Sequence, residues 1–194
     1  SISQWFVGGA ADITSKGKLI LINSGLSEAI IDVEIWSESG IRPPKVVTLK
    51  ANSSVVQSLD SLDPGAKQIA LHIVPRSGRV NAFLVDERGR GLKSLGGDMV
   101  NASPDPSKEV VIPAIPHMKR SGKALSHTLR VIAPGDVDAR ISVELISTKG
   151  SFVPFGFDDR AVKAGIVTEI PLNPELVPST FALKITSDRP IVAS

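Results

Sequence analysis

The 194-residue chain has no cysteine and no tyrosine, and two tryptophans among only 4% aromatic residues. Without cysteine there is no disulfide framework, no thiol nucleophile and no thiolate metal site. Charge of one sign is lacking too: 22 basic side chains face 20 acidic ones, a net charge of +2. That balance argues against the concentrated basic surface of a dedicated nucleic-acid binder. No apolar run approaches the ~18–20 residues of a membrane span, and the first residues lack the basic and apolar regions of a signal peptide. Because the chain opens on Ser1 in place of Met, it reads as a processed form or a piece, with any export signal or anchor upstream. Nucleotide and nucleophile signatures are missing as well, with no Walker A sequence and no Gly-x-Ser-x-Gly elbow. Gly89-Arg90-Gly91 follows a strand, but no βαβ unit surrounds it, so it reads as a strand exit.

What is present is a repeat. A shift of 110 residues, the distance from Leu19 to Leu129, also pairs Ile22 with Ile132, Gly25 with Gly135 and Ala29 with Ala139. Ile31 with Ile141, Val33 with Val143, Glu34 with Glu144, Ser37 with Ser147 and Gly40 with Gly150 complete the series. Average residue usage gives about one or two such identities by chance over this stretch, and nine are found. Later matches drift by one or two residues, and Leu71 then meets Leu183.

Periodicity identifies the repeated unit. Ala29, Ile31, Val33 and Ile35 alternate with Asp32 and Glu34, the two-residue period of a strand with one buried face. Ala139, Ile141, Val143 and Leu145 do the same. Further strands are expected at 4–8, 18–23, 45–49, 54–59, 68–74 and 80–86, then at 110–115, 127–132, 155–158, 165–170, 180–186 and 190–194. Turn signals such as Asn23-Ser24-Gly25 and Ala133-Pro134-Gly135 separate them. Short strands at this spacing with no helical period predict an all-β fold, two tandem antiparallel β-sandwich domains related by the repeat. The expected boundaries are 1–98, a linker over 99–109, and 110–194.

Few residues carry a chemical signal. His72 sits out of phase with Ile69, Leu71 and Ile73, opposite Lys184 of the second copy, which predicts a solvated surface residue. His117 and His127 match no metal-ligand spacing. Ser15 and Lys18 fit Ser-x-x-Lys but lack the companion motifs of a Ser–Lys enzyme. Asp136 with Asp138, and Asp60 with Asp63, read as turn formers, since a calcium site asks for six to eight oxygens. Two features point outward. His117 to Arg130 contains Lys119, Arg120, Lys123 and Arg130 with no acid, a basic loop suited to anionic polymer or lipid headgroups. Trp36 occupies the outward phase of its strand, where the second copy has Ile146, a position for packing, domain contact or a partner.

Trp5-Phe6-Val7-Gly8-Gly9-Ala10, the repeated strand, and Gly96-Gly97-Asp98-Met99-Val100 leading to Val111-Ile112-Pro113-Ala114-Ile115-Pro116 resemble an uncharacterised actinobacterial family of cell-envelope proteins built from tandem β-sandwiches. That resemblance implies a fold and an extracytoplasmic location, and no activity. The second copy, from Asp136 to Ala139 and at Ser187-Asp188-Arg189-Pro190, is also distantly similar in fold to the small β-sandwich transducer of sensory rhodopsins. The expectation is a non-catalytic interaction or spacer module of the cell envelope, with Trp36, Lys119, Arg120 and Lys123 as its contact residues. No catalytic residue, cofactor, metal or nucleic-acid partner is expected. An envelope protein or cell-wall polymer is the expected partner, and a membrane is met only through a segment outside this chain. The alternatives are a carbohydrate- or anionic-polymer-binding module and, third, a hydrolase with an unrecognised site.

Overall fold

In the computed structural model, which describes residues 3–90, 93–120, 122–124, 126–172 and 180–194, the alternating stretch Ala29–Ser37 is a strand. Its Ala29, Ile31, Val33 and Ile35 are buried. Branched residues at every second position suit a pleated, half-buried surface, and the same pattern recurs through both halves. The chain divides into two compact units, Ser1–Asp105 and Pro106–Ser194, each an antiparallel β-sandwich.

The first unit contains β1 (Gln4–Val7), β2 (Lys18–Asn23), β3 (Ala29–Ser37), β4 (Gly40–Leu49), β5 (Ser53–Ser58), β6 (Ile69–Ser77), β7 (Val80–Arg90) and β8 (Lys93–Val100). They form two four-stranded sheets, ordered β1-β6-β3-β4 and β5-β2-β7-β8. Phe6, Ile31 and Leu71 from one sheet and Leu19, Leu21 and Leu84 from the other belong to one buried core.

The second unit contains β9 (Ser107–Ile115), β10 (Lys119–Arg120), β11 (Lys123–Ala124), β12 (His127–Ile132), β13 (Ala139–Ser147), β14 (Gly150–Phe152), β15 (Arg160–Val162), β16 (Thr168–Leu172) and β17 (Phe181–Ala193). β17 pairs with β9 and β13 along most of its length and with β12 at its end. β12 also pairs with β16. The pairing order therefore repeats that of the first unit, with β17 standing for β6 and the start of β7.

Register matches as well. Ile35 lies opposite Leu71 in the first unit, and Leu145 opposite Leu183 in the second. Both copies turn the hairpin after the repeated strand in the same way. Ser37 pairs with Gly40 and Ser147 with Gly150, at φ of 103° and 120°. That left-handed backbone is open to glycine at little steric cost.

Four expectations change. Lys93–Val100, where no strand is expected, is the edge strand β8; exposed from Lys93 to Met99, it has no alternation to reveal it. The expected linker 99–109 holds the end of β8 and the start of β9, so the connection is 101–106. Residues 155–158 are not a strand; β14 and β15 flank them and both pair with β13. Arg189-Pro190 does not break β17, which runs on through a register shift between Thr186 and Ile191 and exchanges its pairing with β13 for pairing with β12 beyond it.

Candidate functional site

Cross-strand pairing builds one unusual cluster on the outer face of the β1-β6-β3-β4 sheet. Trp5 lies opposite His72, and His72 opposite Glu34, while Trp36 lies opposite Ala70 in the next row. The His72 ring stacks on Trp5 with centroids 4.1 Å apart and planes 11° apart, and Trp36 stacks on Trp5 at 5.2 Å and 27°. Nδ1 of His72 is 2.7 Å from the Glu34 carboxylate. A carboxylate accepts, so Nδ1 carries the proton. His72 is thus no solvated residue: its side chain is 18% exposed, because Trp5, remote in sequence, covers it. Trp36 points outward in phase yet is only 4% exposed. Its indole Nε1 is buried with no hydrogen-bond partner among the described residues. The second copy has Val111, Lys184 and Glu144 in the equivalent row, with Val111 and Ile146 exposed.

The basic stretch folds as a small hairpin, with Lys119 paired to Ala124 and Arg120 to Lys123. The Lys119 side chain is exposed; those of Arg120 and Lys123 lie outside the described structure. Arg130 leaves the group. It lies in β12, mostly buried, and donates to Glu169 at 2.6 Å from across the sheet. In the first copy Lys18 is 3.8 Å from Glu87.

The remaining candidates have structural surroundings. Asp63 is 3% exposed and accepts from Arg42 at 2.9 Å. Asp138 accepts from the Ala164 amide at 2.9 Å. His127 packs edge-on against Phe181 at 5.5 Å. Among the described residues no three His, Asp or Glu side chains gather as metal ligands, and no helix is long and apolar enough to cross a membrane.

One feature escaped the sequence reading. An open groove of about 260 Å³ in the second unit is lined by Arg140, Ser142, Asp158, Asp159, Thr186 and Asp188. Arg140 donates to Asp159 at 2.5 Å through its side chain and to Asp188 at 2.7 Å through its amide. The Asp159 hydrogen bond and charge raise the guanidinium pKa above its ordinary value. The alternation of Arg140 and Ser142 on β13 was legible; the loop that brings Asp158 and Asp159 against them was not.

Over residues 1–194 the chain matches a family of unknown function (DUF5719), and it belongs to that family. No curated protein matches it. Among solved structures it is similar to the crystal structure of Thermotoga maritima 1070, at 17% identity and a TM-score of 0.44, over 51% of this chain and 91% of that chain.

Proposed function

We propose that this member of the DUF5719 family is a non-catalytic interaction module that works outside the cytoplasm, in the cell envelope of an actinobacterium. Its β10–β11 hairpin would contact anionic envelope polymer. The observation that supports the reading is how the two copies differ. They keep the same strand order and core register, while the loop between β9 and β12 becomes a basic hairpin with Lys119 exposed. Binding residues concentrate on loops held by a rigid frame, and exposed cations attract polyanions over about one Debye length, ~8 Å at physiological ionic strength.

The test is a pull-down of purified chain with cell-wall and membrane fractions, comparing the parent with Lys119→Ala/Arg120→Ala/Lys123→Ala. The parent should bind, release with added salt, and lose most binding in the variant. Salt-insensitive binding that survives the triple change removes the hairpin from the account. Turnover of any substrate in a broad hydrolase panel overturns the non-catalytic reading.

A further inference from the structure

The outer face of the β5-β2-β7-β8 sheet carries apolar side chains where an exposed antiparallel sheet ordinarily carries polar ones. Val56, Ile20 and Phe83 stand in one cross-strand row, and Val85 with Met99 extends it on β7 and β8. Val56 is 61% exposed, Met99 53% and Phe83 38%, with Ile20, Ile22 and Val85 half-buried between them. The second unit shows that the fold does not demand this. Its equivalent row is Glu169, Arg130 and Ser194, with Arg130 bonded to Glu169 through its side chain and to Ser194 through its backbone. The same place in the same sandwich is therefore built as an ion pair in one copy and as an open apolar stripe in the other. Contiguous exposed apolar surface of this kind marks a contact site.

We propose that this face docks against the same face of a second copy of the chain. Charge supports that occupant. The ion pair bordering the stripe, Lys18 with Glu87 at 3.8 Å, carries both signs, and Ser54, Ser58 and Asn81 supply neutral neighbours in the same rows. A two-fold contact, which presents one patch to itself, then brings no uncompensated like charges together. Size sets the strength. With strands about 4.8 Å apart and about 3.4 Å per residue, the stripe covers on the order of 300 Å². A standard stable interface takes about 800 Å² from each partner. The dimer is accordingly weak and reversible, populated where copies are crowded. It is independent of the basic hairpin and of what that hairpin binds.

Sedimentation velocity on the full chain, from about 10 µM to about 1 mM, covers the range such small contacts reach. The decisive variant is Ile20→Arg/Val56→Glu, which transplants the ion pair of the second copy onto the first. The parent should sediment faster as concentration rises. The variant, with the far-UV spectrum and melting of the parent, should stay monomeric throughout. Should the double change unfold the first unit, Phe83→Ser, which installs the counterpart of Ser194, should weaken dimerisation by about tenfold or more. A parent that remains monomeric at every concentration overturns the proposal, including when another protein is found on the face. So does a dimer that both variants leave unchanged.

Discussion

His72 and Lys184 occupy equivalent places on the two copies, and truncating each to alanine measures what the first copy adds there. His72 gives up a stacked contact with Trp5 at 4.1 Å and a 2.7 Å hydrogen bond to Glu34. An aromatic pair contributes about 0.5–1.5 kcal/mol beyond burial. A hydrogen bond contributes a similar amount, reduced here because the Glu34 side chain is 41% exposed. The sum for His72→Ala is about 1.5–2 kcal/mol. Lys184 gives up a 3.2 Å ion pair to Glu109, whose side chains are 36% and 60% exposed, and such surface pairs contribute about 0–0.5 kcal/mol. Both tryptophans lie in the first unit, so tryptophan fluorescence in a urea titration follows that unit, and far-UV circular dichroism follows both. With a slope of about 1–2 kcal/mol per molar urea, His72→Ala should lower the fluorescence midpoint by about 1 M. Lys184→Ala should leave it unchanged and barely move the second transition. A His72→Ala midpoint within about 0.2 M of the parent, or an equal loss from Lys184→Ala, would refute the reasoning.

Two further outcomes are expected. Asn23 is 1% exposed, donates to the carbonyls of Ser27, Leu49 and Lys50, and accepts from the Gly25 amide. Asn23→Ala should therefore cost the first unit about 2–3 kcal/mol, from several lost hydrogen bonds at about 0.5–1.5 kcal/mol each, with the buried bond to the Leu49 carbonyl among them, and a fluorescence midpoint like that of the parent would contradict this. Ala114 holds a φ of 55°, which costs a residue with a Cβ about 1 kcal/mol, so Ala114→Gly should be neutral or slightly stabilising. Ala139→Gly, at a fully buried extended position, should lose about 1–2 kcal/mol instead, and calorimetry that reverses the two would show the β9 backbone to be unstrained.

The strands that could be read in the sequence are those with one wet and one dry face. Ala29 to Ile35 and Ala139 to Leu145 alternate because Ile31 and Ile141 are buried while Asp32 and Arg140 are not. β8 has no dry face to set a period, and 155–158 is a loop because β13 takes its edge partners from either side of it. The outward phase of Trp36 and His72 was legible from alternation, but their burial was not. It depends on Trp5, brought opposite His72 by pairing between β1 and β6, and a one-dimensional pattern holds no trace of that pairing. Arg130 was misplaced for the same reason, since Glu169 reaches it only across β12 and β16.

Two copies of one fold in a single chain act as a control on each other. Val33 and Val143 are both fully buried, and Ile35 and Leu145 are buried at equivalent register, so these positions answer to the fold. Asn23 and Ala133 solve the same corner differently: the first by side-chain bonds, the second through main-chain bonding between Ala133 and the 164–165 segment. The larger divergences lie on outward faces. Trp5 and His72 stand where the second copy has Val111 and Lys184, and Ile20 and Val56 where it has Arg130 and Glu169. Strand order and core register are the same on either side of these exchanges. What an outward face contributes to stability or to binding is therefore tested with the other unit's residues as the substitutions of choice, because the frame that carries them is shared.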